Sequence, residues 1–399
     1  MKYIETDKFN HVSVSIRSIF DLDIHTITTM NLLCIMMKKQ TEKYPDPSLF
    51  TCALADTYGI RIGVGLSAYG KQLVMDIRMN AIETRWIPDK NYQKQAQDLL
   101  DQVIYHPYFT MASLSQAKMQ LKNRLRTQMD DPNTIALLDA FSMLAPHSIS
   151  IPVQGQINDI DAVTLSDIHQ AYEMYQKAKK HVYIVGKPDQ ELYDYLDQLD
   201  SHRAIQSNFE LLTDTPLQTK SQTRDISQTS LTQVYTNHVC VDDPLYYPLL
   251  VTNSILGQSP SSLLFTNIRE KHSYCYSIYS TIIRFDGALI ISTGFRNQYY
   301  EQVVSLINEQ IEILQKGLFD EALLSSAKKD LIDGLTSGQD SSFSIIEQAY
   351  LDDLMHRNME LKDRVASINT ITKEGVMAVS TNLHLVAQSI VKEENHETV

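Results

Sequence analysis

The chain has 399 residues, too many for one ordinary core and enough for two domains of similar size. Hydrophobic residues make up 43%, which suffices for packed cores and excludes wholesale disorder. A formal charge of -13 repels phosphate, which argues against nucleic acid and anionic membranes as partners and otherwise serves solubility.

Met1 to Asn10 is polar and lacks the apolar core of a signal peptide. Alternation at Val12, Val14 and Ile16 predicts a half-buried strand, and the apolar run from Thr26 to Met37 is long enough for a buried helix. Strand-like runs follow at Gly59 to Leu66 and Leu73 to Met79. Asn91 to Ile104 places Ala96, Leu99, Leu100 and Val103 at helical spacing. Two further helices are expected before a closing strand at Val182 to Val185, with Lys177 to Lys180 as a solvated helix end. Ser201 to Thr232, rich in Ser, Thr, Gln and Asp, reads as a surface linker. Beyond it, Pro244 to Leu256 reads as helix, Tyr274 to Tyr279 and Ala288 to Ser292 as strands, and Gln302 to Leu314 as an amphipathic helix. Ser389 to Val391 closes the second half, and the acidic tail Lys392 to Val399 is expected to fray.

Two passages answer each other. Phe109 to Leu121 matches Phe319 to Leu331 at seven of thirteen positions, offset by 210. Ile160, Val163, Thr164 and Ile168 correspond to Ile368, Ile371, Thr372 and Val376, offset by 208. Two echoes in the same order at nearly one offset indicate a duplication. The expected architecture is α+β, with two homologous halves that are each a mostly antiparallel sheet covered by helices. Residues 1–200 would form the first domain, 201–232 the linker and 233–399 the second domain.

Cys34, Cys52, Cys240 and Cys275 are too few and too scattered for a disulfide framework. No apolar run approaches the roughly twenty residues of a membrane span. Reduced thiols in a cytoplasmic protein are the expectation.

Ser261-Ser262-Leu263-Leu264-Phe265, followed by Ile268-Arg269-Glu270-Lys271 and Tyr276, resembles the SSrLFxxlREkxgLxY signature of the insulinase/pitrilysin zinc metallopeptidases, relatives of the mitochondrial processing peptidase. Gly287, Leu289 to Gly294 and Asp130-Asp131-Pro132 agree with it, so the likeness spans essentially the whole chain. The resemblance implies two α+β halves and a chain that closes with a second one around a peptide. Active relatives carry HxxEH on the first helix, with two imidazoles on one helix face for zinc and a glutamate to deprotonate the bound water. With Lys39-Gln40-Thr41 fixing the register, those ligand positions fall on Asn31 and Ile35 and the base on Cys34. An amide, a hydrocarbon and a thiol do not replace two imidazoles and a carboxylate. No two of the twelve histidines lie within ten residues of each other, and no acidic residue stands between Asp101 and Asp130, where a third ligand is expected.

What the resemblance leaves is Arg269 and Tyr276, the pair that in relatives holds the substrate backbone and stabilises the oxyanion. Their alternative is a structural ion pair and a packed ring. Tyr274 and Tyr279 read as cross-strand packing residues, Cys34 and Cys275 as buried inert thiols, and His272 as a solvent-facing or turn histidine. Gly257 to Ser262 occupies a loop that is glycine-rich in relatives, yet holds one glycine. Three functions compete. The first is a non-catalytic subunit, itself without cofactor, that pairs with an HxxEH-bearing, zinc-holding homologue or with itself around a peptide. The second is a peptide-binding or assembly protein without a peptidase partner, for example in peptide maturation or translation-factor modification. The third is an autonomous metallopeptidase with an unfamiliar site.

Overall fold

A computed structural model describes residues 1–394. In chain order the first 200 residues form β1 (Lys2–Ile4), β2 (His11–Asp21), α1 (Ile27–Met37), α2 (Pro47–Asp56), β3 (Arg61–Tyr69), β4 (Gln72–Ile82), α3 (Tyr92–Tyr105), α4 (Met111–Gln128), α5 (Pro132–Ser142), α6 (Leu165–Lys177), β5 (Lys180–Val185) and α7 (Gln190–Leu199). The remainder opens with β6 (Gln218–Arg224), β7 (Thr229–Thr236) and α8 (Tyr246–Asn253). Two π-helical turns, Ser254–Gln258 and Phe265–Glu270, lead to β8 (Cys275–Ile283) and β9 (Ala288–Phe295). Then come α9 (Tyr300–Gln315), α10 (Glu321–Gly338), α11 (Ser342–Leu354), α12 (Leu361–Asn369), α13 (Lys373–Ser380) and β10 (His384–Glu393).

The duplication is visible in the topology. One five-stranded sheet runs β1-β5-β2-β4-β3 and the other β6-β10-β7-β9-β8, so each uses its strands in the order first, fifth, second, fourth, third. All ladders are antiparallel except β1 with β5 and β6 with β10, which pair the first strand of each half in parallel with its last. The expected α+β halves, each a mostly antiparallel sheet with helices, are what the chain forms.

The compact units do not follow a single cut through the chain. One unit comprises Met1–Arg126, Pro152–Asn208 and Gly338–Asn358, and the other Thr127–Ile151, Phe209–Ser337 and Met359–Val399. Helix α11 therefore belongs with the first sheet and α5 with the second. The segment read as a linker, 201–232, carries β6 and the first residues of β7, and its Ile205 and Leu212 are buried. Three helices, α4, α5 and α6, precede β5 where two were expected.

In the first unit both faces of β2 are covered, which corrects the half-buried reading. Val12, Val14 and Ile16 are buried on one face; Ser13, Ser15 and Arg17 are buried on the other, under α11. Ser13 Oγ and His11 Nε2 lie 2.7 and 3.2 Å from Ser342 Oγ at the start of α11. Arg17 donates to Glu347 at 2.7 Å and to Ser15 Oγ at 3.1 Å, stacks over the Tyr350 ring at 4.2 Å, and faces Asp76 at 3.4 Å. A buried guanidinium is tolerable only when so surrounded. The second unit repeats the device with α5. Asn133 accepts from Ser230 Oγ at 2.9 Å, and Asp139 accepts from Lys220 at 2.5 Å and from Gln222.

Two end segments also differ from expectation. Lys177 is exposed, but Lys180 is buried in β5 with its ammonium over the Tyr175 ring, because β5 starts there and is covered on all sides. Lys392 and Glu393 are the last residues of β10, held by the β6 pairing; residues 395–399 lie outside the described part.

Candidate functional site

Position 31 lies on α1, a helix apolar on every side and buried at ten of its eleven residues. Here the Asn31 side chain is fully engaged. Its Nδ2 donates to Ile27 O and to Val153 O, both at 2.9 Å, and its Oδ1 accepts from Arg124 Nη2 at 2.9 Å. The Val153–Gln156 loop comes close because Gly155, at φ +88°, has no Cβ; one would meet Thr28 Cα at 3.3 Å. Thr28 Oγ1 then accepts from Gln156 N at 3.0 Å. Arg124 stands on α4, in the stretch where the resemblance placed a third metal ligand. The charge beside position 31 is thus a guanidinium rather than a carboxylate.

Cys34 and Ile35 are both buried. Burial pushes the Cys34 thiol up to about 12, with Lys38 and Arg124 pulling the other way. A neutral thiol at pH 7 cannot act as the base, and Ile35 has no donor atom. Asn31, Cys34, Ile35 and Arg124 together do not fit a zinc ion, which needs anionic or imidazole donors and no adjoining cation.

Arg269 and Tyr276 occupy one corner of the second unit. Phe265–Glu270 is wound as a π-helix, with Lys271 N donating to Thr266 O at 3.0 Å across five residues. The chain then turns through Ser273, at φ +54°, with Ser273 N bonded to Arg269 O and Tyr274 N to Ile268 O. It enters β8 at a bulge, where Cys275 pairs with Phe295 and Ser277 with Gly294, so that Tyr276 is the extra residue. Gly257 in the other π-helical turn permits this packing; a Cβ there would stand 2.6 Å from Ser280 N on β8. Both devices aim side chains outward. Tyr276 is 64% exposed, and Arg269 is exposed with its guanidinium 4.4 Å over the Phe265 ring. Among the described residues neither side chain makes a hydrogen bond or ion pair, so the structural ion pair considered for Arg269 is absent there.

The neighbouring residues divide. Tyr274 packs, but against His272 at 5.2 Å and Tyr299 at 4.7 Å rather than across the sheet, since it precedes β8. Tyr279 is 45% exposed opposite Ser292, so it is not a packed cross-strand ring either. Cys275 is buried, and burial raises its thiol. The Gly257–Ser262 loop is tied to α10, with Ser259 donating to Asp330 and Ser261 Oγ 3.3 Å from Ser326 Oγ.

Sequence reasoning missed Arg124, although an arginine in a stretch searched for acids was the available signal. It also missed a surface cluster of Asp214, His238 and His384, whose members are far apart in the chain.

Residues 162–331 match the family described as Peptidase M16 inactive domain. A Bacillus subtilis protein named as a probable inactive metalloprotease, YmfF, is 24% identical over 96% of this chain and 93% of its own length. Among solved structures, a conserved protein from Enterococcus faecalis superposes with a TM-score of 0.89 at 24% identity, covering 99% of this chain and 96% of that one. A structure described as a peptidase M16 inactive domain from Pseudomonas fluorescens gives 0.80 at 19% identity, covering 98% and 95%. The insulinase/pitrilysin-type resemblance read from the sequence is thereby shown, by a match to the Peptidase M16 inactive domain over residues 162–331 and by a fold shared along almost the entire chain.

Proposed function

We propose that this chain is a catalytically incomplete peptidase-family subunit that pairs with an HxxEH-bearing, zinc-holding homologue and contributes Arg269 and Tyr276 to binding a peptide between the two chains. The observation that carries this reading is the contrast between two places. At position 31 every polar group is consumed internally and a cation stands beside it. At Arg269 and Tyr276 two strong donors are held outward by a π-helix and a bulge and left without partners among the described residues. Leaving such donors unpaired costs nothing at an exposed site and prepares them for a carbonyl or an oxyanion. The name of the B. subtilis relative supports the inactive half of the reading.

Coexpression with a zinc-bearing homologue tests it. The pair should copurify and cleave peptides, and Arg269→Ala should lower kcat/KM by about 100-fold, the usual cost of one oxyanion donor. Cleavage unimpaired by Arg269→Ala and Tyr276→Phe together would sink the assignment.

A second reading, peptide binding without any peptidase partner, is favoured by the first sheet's edge. Among the described residues strand β3 pairs only with β4, and a Cβ at Gly63 or Gly65 would meet none of their atoms within 4 Å. Such an edge can accept an extended polypeptide by backbone pairing. Retention of a labelled peptide by the isolated chain, with no zinc-bearing homologue recovered, would shift the assignment to this class.

A further inference from the structure

The second unit brings together Asp214, His238 and His384, each exposed, with one potential ligand atom from each lying within 4.8 Å of the others. They arrive from three separate segments. Asp214 stands in the irregular stretch before β6, His238 follows the end of β7, and His384 opens β10, where it pairs in register with Thr236. His238 Nε2 is 2.9 Å from Asp214 Oδ1, and His384 Nδ1 is 3.6 Å from Asp214 Oδ2. The two separations run to different oxygens of the one carboxylate, and each lies near the roughly 3.3 Å between ligand atoms of a tetrahedral zinc with bonds of about 2.0 Å.

We infer that Asp214, His238 and His384 form a surface site for a divalent transition metal, with Zn2+ the best match, unrelated to the degenerate position on α1. Two imidazoles and one carboxylate are a zinc donor set with one position left for water. The scaffold holds them in place beforehand. Thr236 Oγ1 donates to Asp214 Oδ1 at 2.5 Å, the kind of outer partner that orients a ligating carboxylate. His238 is fixed at φ +55° by its neighbour Asn237, which is fully buried, donates its N–H to Gly287 O at 2.9 Å and accepts from Val239 N at 2.9 Å. His384 Nδ1 lies 3.1 Å from Asn382 O. Facing two oxygens that can only accept, that nitrogen carries the ring proton in the metal-free form; on binding, the proton moves to Nε2 and Nδ1 gives its lone pair to the metal. The metal would fasten the stretch that enters the second unit after Asn208 onto the ends of β7 and β10.

The test is titration of the purified, untagged full chain with Zn2+ alone, followed by calorimetry, and with Co2+ alone, followed by ligand-field absorption. One saturable equivalent is expected in the micromolar range or tighter. Asp214→Asn, His238→Gln and His384→Gln should each weaken it about tenfold or more while leaving the metal-free thermal transition unchanged. Hydrogen exchange across residues 209–217 should slow on adding Zn2+ to the wild type and not to the variants. No saturable equivalent in the wild type, or one whose affinity the three substitutions leave unaltered, overturns the site.

Discussion

Rebuilding the lost motif on α1 should not by itself restore zinc. The perturbation is Asn31→His, Cys34→Glu and Ile35→His together, made in a His238→Gln/His384→Gln background so that the surface site does not contribute. A side chain at position 31 would hold the ion about 2.0 Å away, and Arg124 Nη2 already stands 2.9 Å from the Asn31 oxygen, which puts the two cations about 5 Å apart. Charges of +2 and +1 at that distance repel by about 2 kcal/mol in bulk water and about 7 kcal/mol at an effective dielectric near 20. Arg124 is exposed overall, so solvent screening keeps the penalty in the lower half of that range, about 2–4 kcal/mol, or about 30- to 700-fold in affinity. The missing third ligand adds to this. Zinc content after dialysis, with calorimetry, should show no stoichiometric ion in the triple variant and a clear gain when Arg124→Glu is added. Circular dichroism and a thermal melt confirm that each variant is folded. Stoichiometric zinc in the triple variant, at an affinity indifferent to Arg124→Glu, would refute the reasoning. So would a folded quadruple variant that remains metal-free.

The buried charges make further demands. Asp76→Asn with Glu347→Gln leaves the Arg17 guanidinium inside without an anion, and urea unfolding should show a loss of about 3–5 kcal/mol. Arg17→Met should cost less, because Asp76 keeps Arg78 at 2.6 Å and Glu347 keeps Tyr69 at 2.7 Å. Asp286 is raised above the ordinary carboxyl value by burial, against a hydrogen bond from Ser148 and the field of His147. Its native form therefore binds its proton more tightly than the unfolded form, so stability falls as pH rises from the ordinary carboxyl value of 3.8 through the raised value. Asp286→Asn should flatten that decline and equal or exceed the wild type at neutral pH, read from urea midpoints across pH. Thiol labelling of the native chain should modify Cys52 first and leave Cys34 and Cys275 untouched until denaturation.

Periodicity reached most elements because apolar residues mark them. Val12, Val14 and Ile16 announced β2, and Ala96, Leu99, Leu100 and Val103 announced α3. It failed at β6, whose sequence QTKSQTR has no apolar residue; the strand exists through its parallel pairing with β10. The cover over Ser13, Ser15 and Arg17 was equally out of reach, since α11 arrives from more than 300 residues away. At the candidate site, the Arg269 signature could be read directly, and the π-helix and bulge that turn Arg269 and Tyr276 outward could not, because they depend on backbone register. The Asp214, His238 and His384 cluster has no spacing rule to betray it; a sheet assembles it.

The placement of α5 and α11 bears on how the molecule is made. A ribosome that has released the first two hundred residues has supplied the strands of the first sheet but not the helix that shields Arg17, and the early α5 has no surface of its own to occupy until β7 and β10 appear. The first half can close over Arg17 only once α11 has emerged, and the second can be completed only when β10 has followed it. Cutting the gene at residue 200 would leave each fragment with an uncovered sheet and a stranded helix, and the duplicated ancestor that gave rise to this chain is no longer separable into the two pieces it began as.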